Sequence, residues 1–172
     1  MSNQNAINLL RAQYTLSAEW LQGTMQGTTA EIVHHQPGGT ANTIASVVGH
    51  AVAGLDGMLV GGVAGQAPLM ASTFAGKTGL SELPPQGMDW AEWSNRVQID
   101  LPVFHEYTVA VFAAIDSYLE TIHDDELARE VVFPFGTQTV GWAFNIMLLN
   151  NFSHTGEISC IKGLHGVKGY PM

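Results

Sequence analysis

The stretch that most restricts this chain is residues 44 to 63, an apolar run as long as a bilayer span but broken by His50, Asp56 and several glycines. An imidazole and a carboxylate are costly in hydrocarbon, so the run reads as a helix packed inside a bundle. Its apolar stripe is Ile44, Val47, Val48, Ala51, Leu55, Met58 and Leu59, at helical spacings of three and four. Thr40 or Asn42 is the expected cap, because a short polar side chain there accepts bonds from the unpaired amides of the first turn. His50 falls roughly 120° from the centre of the stripe, in line with Thr43, Ser46, Ala53, Gly54 and Gly57. Small side chains on that line either admit another backbone or leave room beside the imidazole.

Three further helical regions follow from the same periodicity. Residues 4 to 25 place Ile7, Leu10, Tyr14, Ala18, Leu21 and Met25 on one face. Pro37-Gly38-Gly39 marks a loop, and the Gly-, Ser- and Pro-rich residues 64 to 88 read as a long crossover suited to two helices running in the same direction. Asp89 and Glu92 have the spacing of a capping box before a region from about 90 to 122, which Pro102 is expected to kink or divide. Residues 124 to 129 suit a helical turn, 131 to 140 a hairpin or irregular loop turning at Gly136, and 141 to about 165 a last helix. The expected fold is all-α, residues 1–172 forming one domain.

Charge narrows the partners. With 15 acidic against 6 basic residues and a formal charge of −9, the chain offers no concentrated positive charge for nucleic acid or an anionic membrane surface. Charged residues are only 12 % of the chain, about half the usual share, so much of the surface is expected to be neutral or covered by a partner, which favours a homodimer. The first residues lack the basic start and apolar core of a signal peptide, and a lone cysteine, Cys160, forms no intrachain disulfide. Both predict a cytoplasmic protein.

On the last helix, Asn150, His154 and Glu157 fall within roughly 60° of one another, one turn apart. With His50 on a facing helix they form a candidate cation site, since bundle metal sites draw ligands from facing helices. By spacing alone, hydrogen-bonded core or surface histidines are the commoner explanation of such a pair. His34 and His35 read as a solvated pair, His105 as a helix-surface residue that could also serve as a ligand, and His123 and His165 as helix-end residues. Cys160 reads as an inert buried thiol, and Trp20, Trp90, Trp93 and Trp142 as core or interface anchors.

The segment Asn42-Thr43-Ile44-Ala45-Ser46-Val47-Val48-Gly49-His50 resembles the second-helix motif of the DinB-like superfamily. His154-Thr155-Gly156-Glu157-Ile158 is similar to that family's His-Arg-Gly-Gln-Ile motif on the last helix. The long crossover and the ending Gly163-Leu164 through Gly169-Tyr170-Pro171 resemble it too, so the likeness spans nearly the whole chain. It implies a four-helix bundle with a long crossover between the second and third helices and a short irregular or hairpin segment before the last. It also implies a divalent metal (zinc, nickel, iron or manganese) held by His50, position 150 and His154. Position 150 is Asn where the family has His, and an amide oxygen is a weaker, harder ligand than imidazole. Glu157 would stand behind the ligands as an orienter or base. The implied activity is that of a metal-dependent enzyme of the thiol-dependent transferase, isomerase or hydrolase type acting on a small molecule. The alternative is a non-catalytic dimeric binding or stress-related protein with a degenerate metal site. No residue is marked as catalytic by the sequence.

Overall fold

The computed structural model describes residues 4–85 and 91–171. Four long helices form the bundle: α1 (Asn5–Met25), α3 (Ile44–Leu55, continued by a π-helical segment Asp56–Val63), α5 (Leu101–Thr121) and α6 (Val140–Leu164). Short helices α2 (Ala30–His34) and α4 (Ala91–Ser94) lie in the connections, with 3-10 turns at Leu69–Ala71 and Asp124–Ala128. Strands β1 (Glu130–Phe133) and β2 (Gly136–Thr139) form the antiparallel hairpin before α6, pairing Glu130 with Thr139 and Phe133 with Gly136.

Cross-helix contacts give the directions. Tyr14 meets Phe144, Ser17 meets Asn151 and Thr24 meets Lys162, so α1 and α6 run in parallel. Val48 shares a cavity with Phe104, and farther along both helices Asp56 bonds Tyr107, so α3 and α5 also run together. Arg11 on α1 meets Asp116 on α5, and His50 on α3 meets His154 on α6. The second pair of helices is therefore antiparallel to the first, and only a long crossover can join α3 to α5.

At both ends of α1, side chains distant in sequence bond the terminal backbone groups. At its start Gln4 offers no side-chain cap, and the Asp124 carboxylate accepts from the amides of Ala6 at 3.2 Å and Ile7 at 3.0 Å. At its end the Lys162 ammonium, wholly buried, donates to the carbonyl oxygens of Thr24 and, at 2.5 Å, Gln26. An anion at the first turn and a cation at the last both oppose the helix dipole. Burial lowers the Lys162 pKa, because desolvation penalises the charged form.

The cap of α3 is Thr43, whose hydroxyl accepts from the Ser46 amide at 3.2 Å. Thr40 and Asn42, expected from the sequence, stand outside the helix. Thr43 holds the position because its extended backbone precedes the first helical residue and its side chain sits in a buried hydroxyl cluster. In that cluster Ser46 Oγ lies 2.7 Å from Ser94 Oγ of α4. Where α3 becomes π-helical, the buried Asp56 accepts from the amides of Leu69 and Met70, both at 2.8 Å, and from the Tyr107 hydroxyl at 2.9 Å. One carboxylate thus ties the start of the crossover to two helices. Burial and the adjacent Asp56 hold the Tyr107 phenol protonated far above its usual range.

Pro102 does not kink a helix. It sits in the first turn of α5, where its missing amide costs no hydrogen bond, behind the Asp100 cap that accepts from Val103 at 3.2 Å. The expected region from 90 to 122 is therefore α4 and α5 separated by an extended segment, in which Ile99 bridges Leu80. Asp89 and Trp90 of the expected capping box lie outside the described residues. The helix Ile44–Val63 has the length and composition of a membrane span, but 72 % of its most apolar window is buried within the bundle, as in a core helix.

Two substitutions test this account. Asp124→Ala removes the cap of α1 and is expected to lower unfolding free energy by about 1 kcal/mol in urea denaturation. Gly79 has φ +84°, and an added Cβ would stand 2.5 Å from the Phe104 nitrogen. Gly79→Ala is expected to cost at least about 2 kcal/mol by the same measurement, combining left-handed strain with overpacking.

Candidate functional site

The seam between α1 and α6 sets the rotation of α6. Tyr14 donates to the Phe144 carbonyl at 2.6 Å and Asn151 Nδ2 to Ser17 Oγ at 2.6 Å, while Thr155, also buried, donates to the Asn151 carbonyl at 2.7 Å. With Asn151 held against α1, residues 150, 154 and 157 fall roughly 60–120° around the helix, on the side toward α3. On that side α3 presents His50.

The two imidazoles meet edge to face, with centroids 5.2 Å apart and planes at 86°. Two imidazoles bound to one tetrahedral ion, with metal–nitrogen bonds of about 2.0–2.1 Å, have centroids about 5 Å apart, so the spacing fits a shared ion. His154 Nδ1 lies 3.0 Å from Glu157 Oε2, with the His154 side chain 16 % and the Glu157 side chain 35 % exposed. A carboxylate on Nδ1 leaves Nε2 as the lone-pair donor, as in ligating histidines generally. Burial, reinforced by repulsion from His154 and opposed by Glu157, lowers the His50 pKa. His50 is therefore neutral at pH 7, the form that can bind a cation.

Asn150 stands one turn before His154 and is half-buried. Among the described residues no group of three or more His, Cys, Asp or Glu side chains is arranged to hold a metal ion. The donor set thus has two imidazoles, one orienting carboxylate and, at the third family position, an amide. His105 does not complete it, for it lies at the edge of a separate cavity beside α1 and α5.

The small face of α3 is filled rather than open. A Cβ on Gly54 would stand 3.2 Å from the Met147 methyl of α6, and one on Gly57 3.4 Å from that of Met70. Glycine there lets α6 and the crossover approach, bringing His154 within reach of His50. His34 is structural rather than simply solvated: Nδ1 bonds the Ala30 carbonyl at 2.7 Å, and Nε2 accepts the Ile99 amide at 3.0 Å. His35 and His165 form a second edge-to-face pair with centroids 4.3 Å apart, and His123 Nδ1 lies 2.6 Å from Gln4 Nε2. Cys160, expected to be buried, is exposed. Trp93 is core, Trp20 packs on Phe152 and Tyr170, and Trp142 is largely at the surface.

The fold has a solved relative. A crystal structure of a conserved protein from Enterococcus faecalis aligns with a TM-score of 0.77 over 91 % of this chain and 95 % of that one, at 19 % sequence identity. No protein of curated function matches. The family pattern described as DinB superfamily matches residues 13–158, a span that includes His50, Asn150, His154 and Glu157. The chain belongs to the DinB superfamily.

Proposed function

We propose that the protein is a divalent-metal-dependent DinB enzyme acting on a small molecule, with His50 and His154 as metal ligands. The observation that carries this reading is the contact between the two imidazoles across α3 and α6, with Glu157 on the Nδ1 side of His154. Asn150 is the third protein donor, through its amide oxygen. A bound divalent ion would lower the pKa of a thiol or water and so supply a nucleophile near neutral pH. The residues themselves do three things. His50 is kept neutral by burial, Glu157 fixes the His154 tautomer, and Asn150 offers a weak, hard donor that lowers affinity and favours zinc, iron or manganese over a metal needing soft ligands.

The reaction class is a thiol-dependent transfer, isomerisation or hydrolysis. The incomplete His/Cys/Asp/Glu set favours one competing reading, a binding protein whose metal site has degenerated. Elemental analysis of protein purified without a nickel column separates the two. The enzyme reading expects close to one ion per chain, restored after chelation by zinc, iron, manganese or nickel. Chains that stay metal-poor after such loading would establish the degenerate site.

Two variants locate the ion. His154→Ala is expected to abolish metal binding while leaving the helical circular dichroism unchanged, since it removes one ligand from a packed bundle. Asn150→His restores an imidazole at the third position and is expected to tighten metal binding by at least about tenfold in a chelator competition. Unchanged affinity in Asn150→His would show that position 150 does not face the ion.

A further inference from the structure

A second pair of imidazoles stands at the end of α6, away from the hairpin that precedes it. His165 is the residue that closes α6, and His35 the residue that closes α2. The fold brings α2 there through its own anchors. Val33 is wholly buried, and His34 Nε2 accepts the Ile99 amide at 3.0 Å. The rings of His35 and His165 meet edge to face, with centroids 4.3 Å apart and planes at 87°. His165 is half-buried and His35 exposed.

The ring nitrogens of this pair are unspent. His34 commits both of its own, to the Ala30 carbonyl and the Ile99 amide, and His123 has Gln4. Among the described residues neither His35 nor His165 makes a side-chain hydrogen bond; each other's ring is the contact they have. Two imidazoles on one ion, with metal–nitrogen bonds of about 2.0–2.1 Å, have centroids about 5 Å apart at a tetrahedral angle and about 4.5 Å apart at a right angle. The observed spacing lies beside the second value. Right-angle coordination by nitrogen belongs to square-planar and octahedral ions such as copper(II) and nickel(II). An exposed ring such as His35 reorients in nanoseconds, so its lone pair can turn toward an ion. A cation at this place also meets the negative end of the α6 dipole. The two ammonium groups nearest in sequence to His165 are engaged elsewhere: Lys162 with the Thr24 and Gln26 carbonyls, Lys168 with the Pro171 carbonyl at 3.2 Å.

We propose that His35 and His165 form a second metal site, which holds a copper(II) or nickel(II) ion between two imidazoles at right angles, with water in the remaining positions. Among the described residues no third His, Cys, Asp or Glu side chain joins them. An ion here ties the α2 connection to the end of α6. It is not the ion of the α3–α6 pair, because His154 and His165 are separated by about 16 Å along α6 at the helical rise. The proposal therefore stands whether or not His50 and His154 hold a metal.

The test uses the full chain carrying His154→Ala, which removes a ligand from the α3–α6 pair, with copper(II) as the probe. Calorimetric titration is expected to show saturable binding of close to one ion per chain. Pulsed electron paramagnetic resonance of that complex is expected to show modulation from two imidazole rings. Adding His35→Ala or His165→Ala is expected in each case to weaken binding by at least about tenfold, since one imidazole is left where two held the ion. Adding His105→Ala, which removes an exposed histidine on α5, is expected to leave the affinity unchanged. Affinity kept in either His35→Ala or His165→Ala, an equal loss in His105→Ala, or modulation from a single ring would each overturn the proposal. So would several ions per chain bound alike in every variant, the mark of adventitious surface coordination. Should His165→Ala fail to fold, His35→Ala decides the matter, because His35 is exposed.

Discussion

The bond from Lys162 to the last carbonyls of α1 is the contact on which the placement of α6 depends. An ammonium without solvent exposure is held there by the Thr24 and Gln26 carbonyl oxygens, and such a group tolerates little displacement, since a lost partner leaves a buried charge uncompensated. Below it, Asn151 on Ser17 and Tyr14 on the Phe144 carbonyl repeat the constraint at successive turns. Polar groups need specific partners where apolar ones need only volume, so this ladder fixes both the height and the rotation of α6 against α1. His154 faces α3 because Asn151 and Thr155 are committed to the other side.

Much of the bundle was legible because its helices carry apolar residues at spacings that only a helix brings to one face. The boundaries of α1 and α6, the hairpin turning at Gly136 and the long crossover all follow from local pattern. What local pattern could not supply were partners distant in sequence. Asp124 caps α1, and Lys162 closes its other end, yet nothing near either residue marks it for that role. Thr43 takes the cap of α3 because its hydroxyl joins Ser46 and Ser94, and Ser94 arrives only after the crossover. The exposure of Cys160 follows from the rotation of α6, which the seam with α1 sets.

The candidate site was legible to a different extent. His50, His154 and Glu157 could be named from helical spacing and the two family-like motifs, and the fold brings the two histidines together across α3 and α6. The role of the small face beside His50 was not readable, because glycine gives the same signal for ligand space and for close packing. Met147 and Met70 show the second use. The cavity between α1, α3 and α5 left no motif, since its lining comes from three helices and a turn, each contributing residues unremarkable in their own segment.

Asp56 shows why the acidic partner of this site comes from α6 and not from α3. It follows His50 on the same continuous helix and is the one carboxylate in the run that carries the histidine, so composition alone would nominate it as a ligand. Both of its oxygens are already engaged, one by the Leu69 amide and the other by the Met70 amide and the Tyr107 hydroxyl. Moving it to a cation would release two crossover amides and a buried phenol together, each an unpaired polar group in a dry interior. Glu157 has no such duty: it is partly exposed, bonded only to His154 among the described residues, and free to adjust as the histidine changes partner. The bundle thus divides its carboxylates by cost of movement, fixing the crossover with the immobile one and leaving the adjustable one beside the imidazoles.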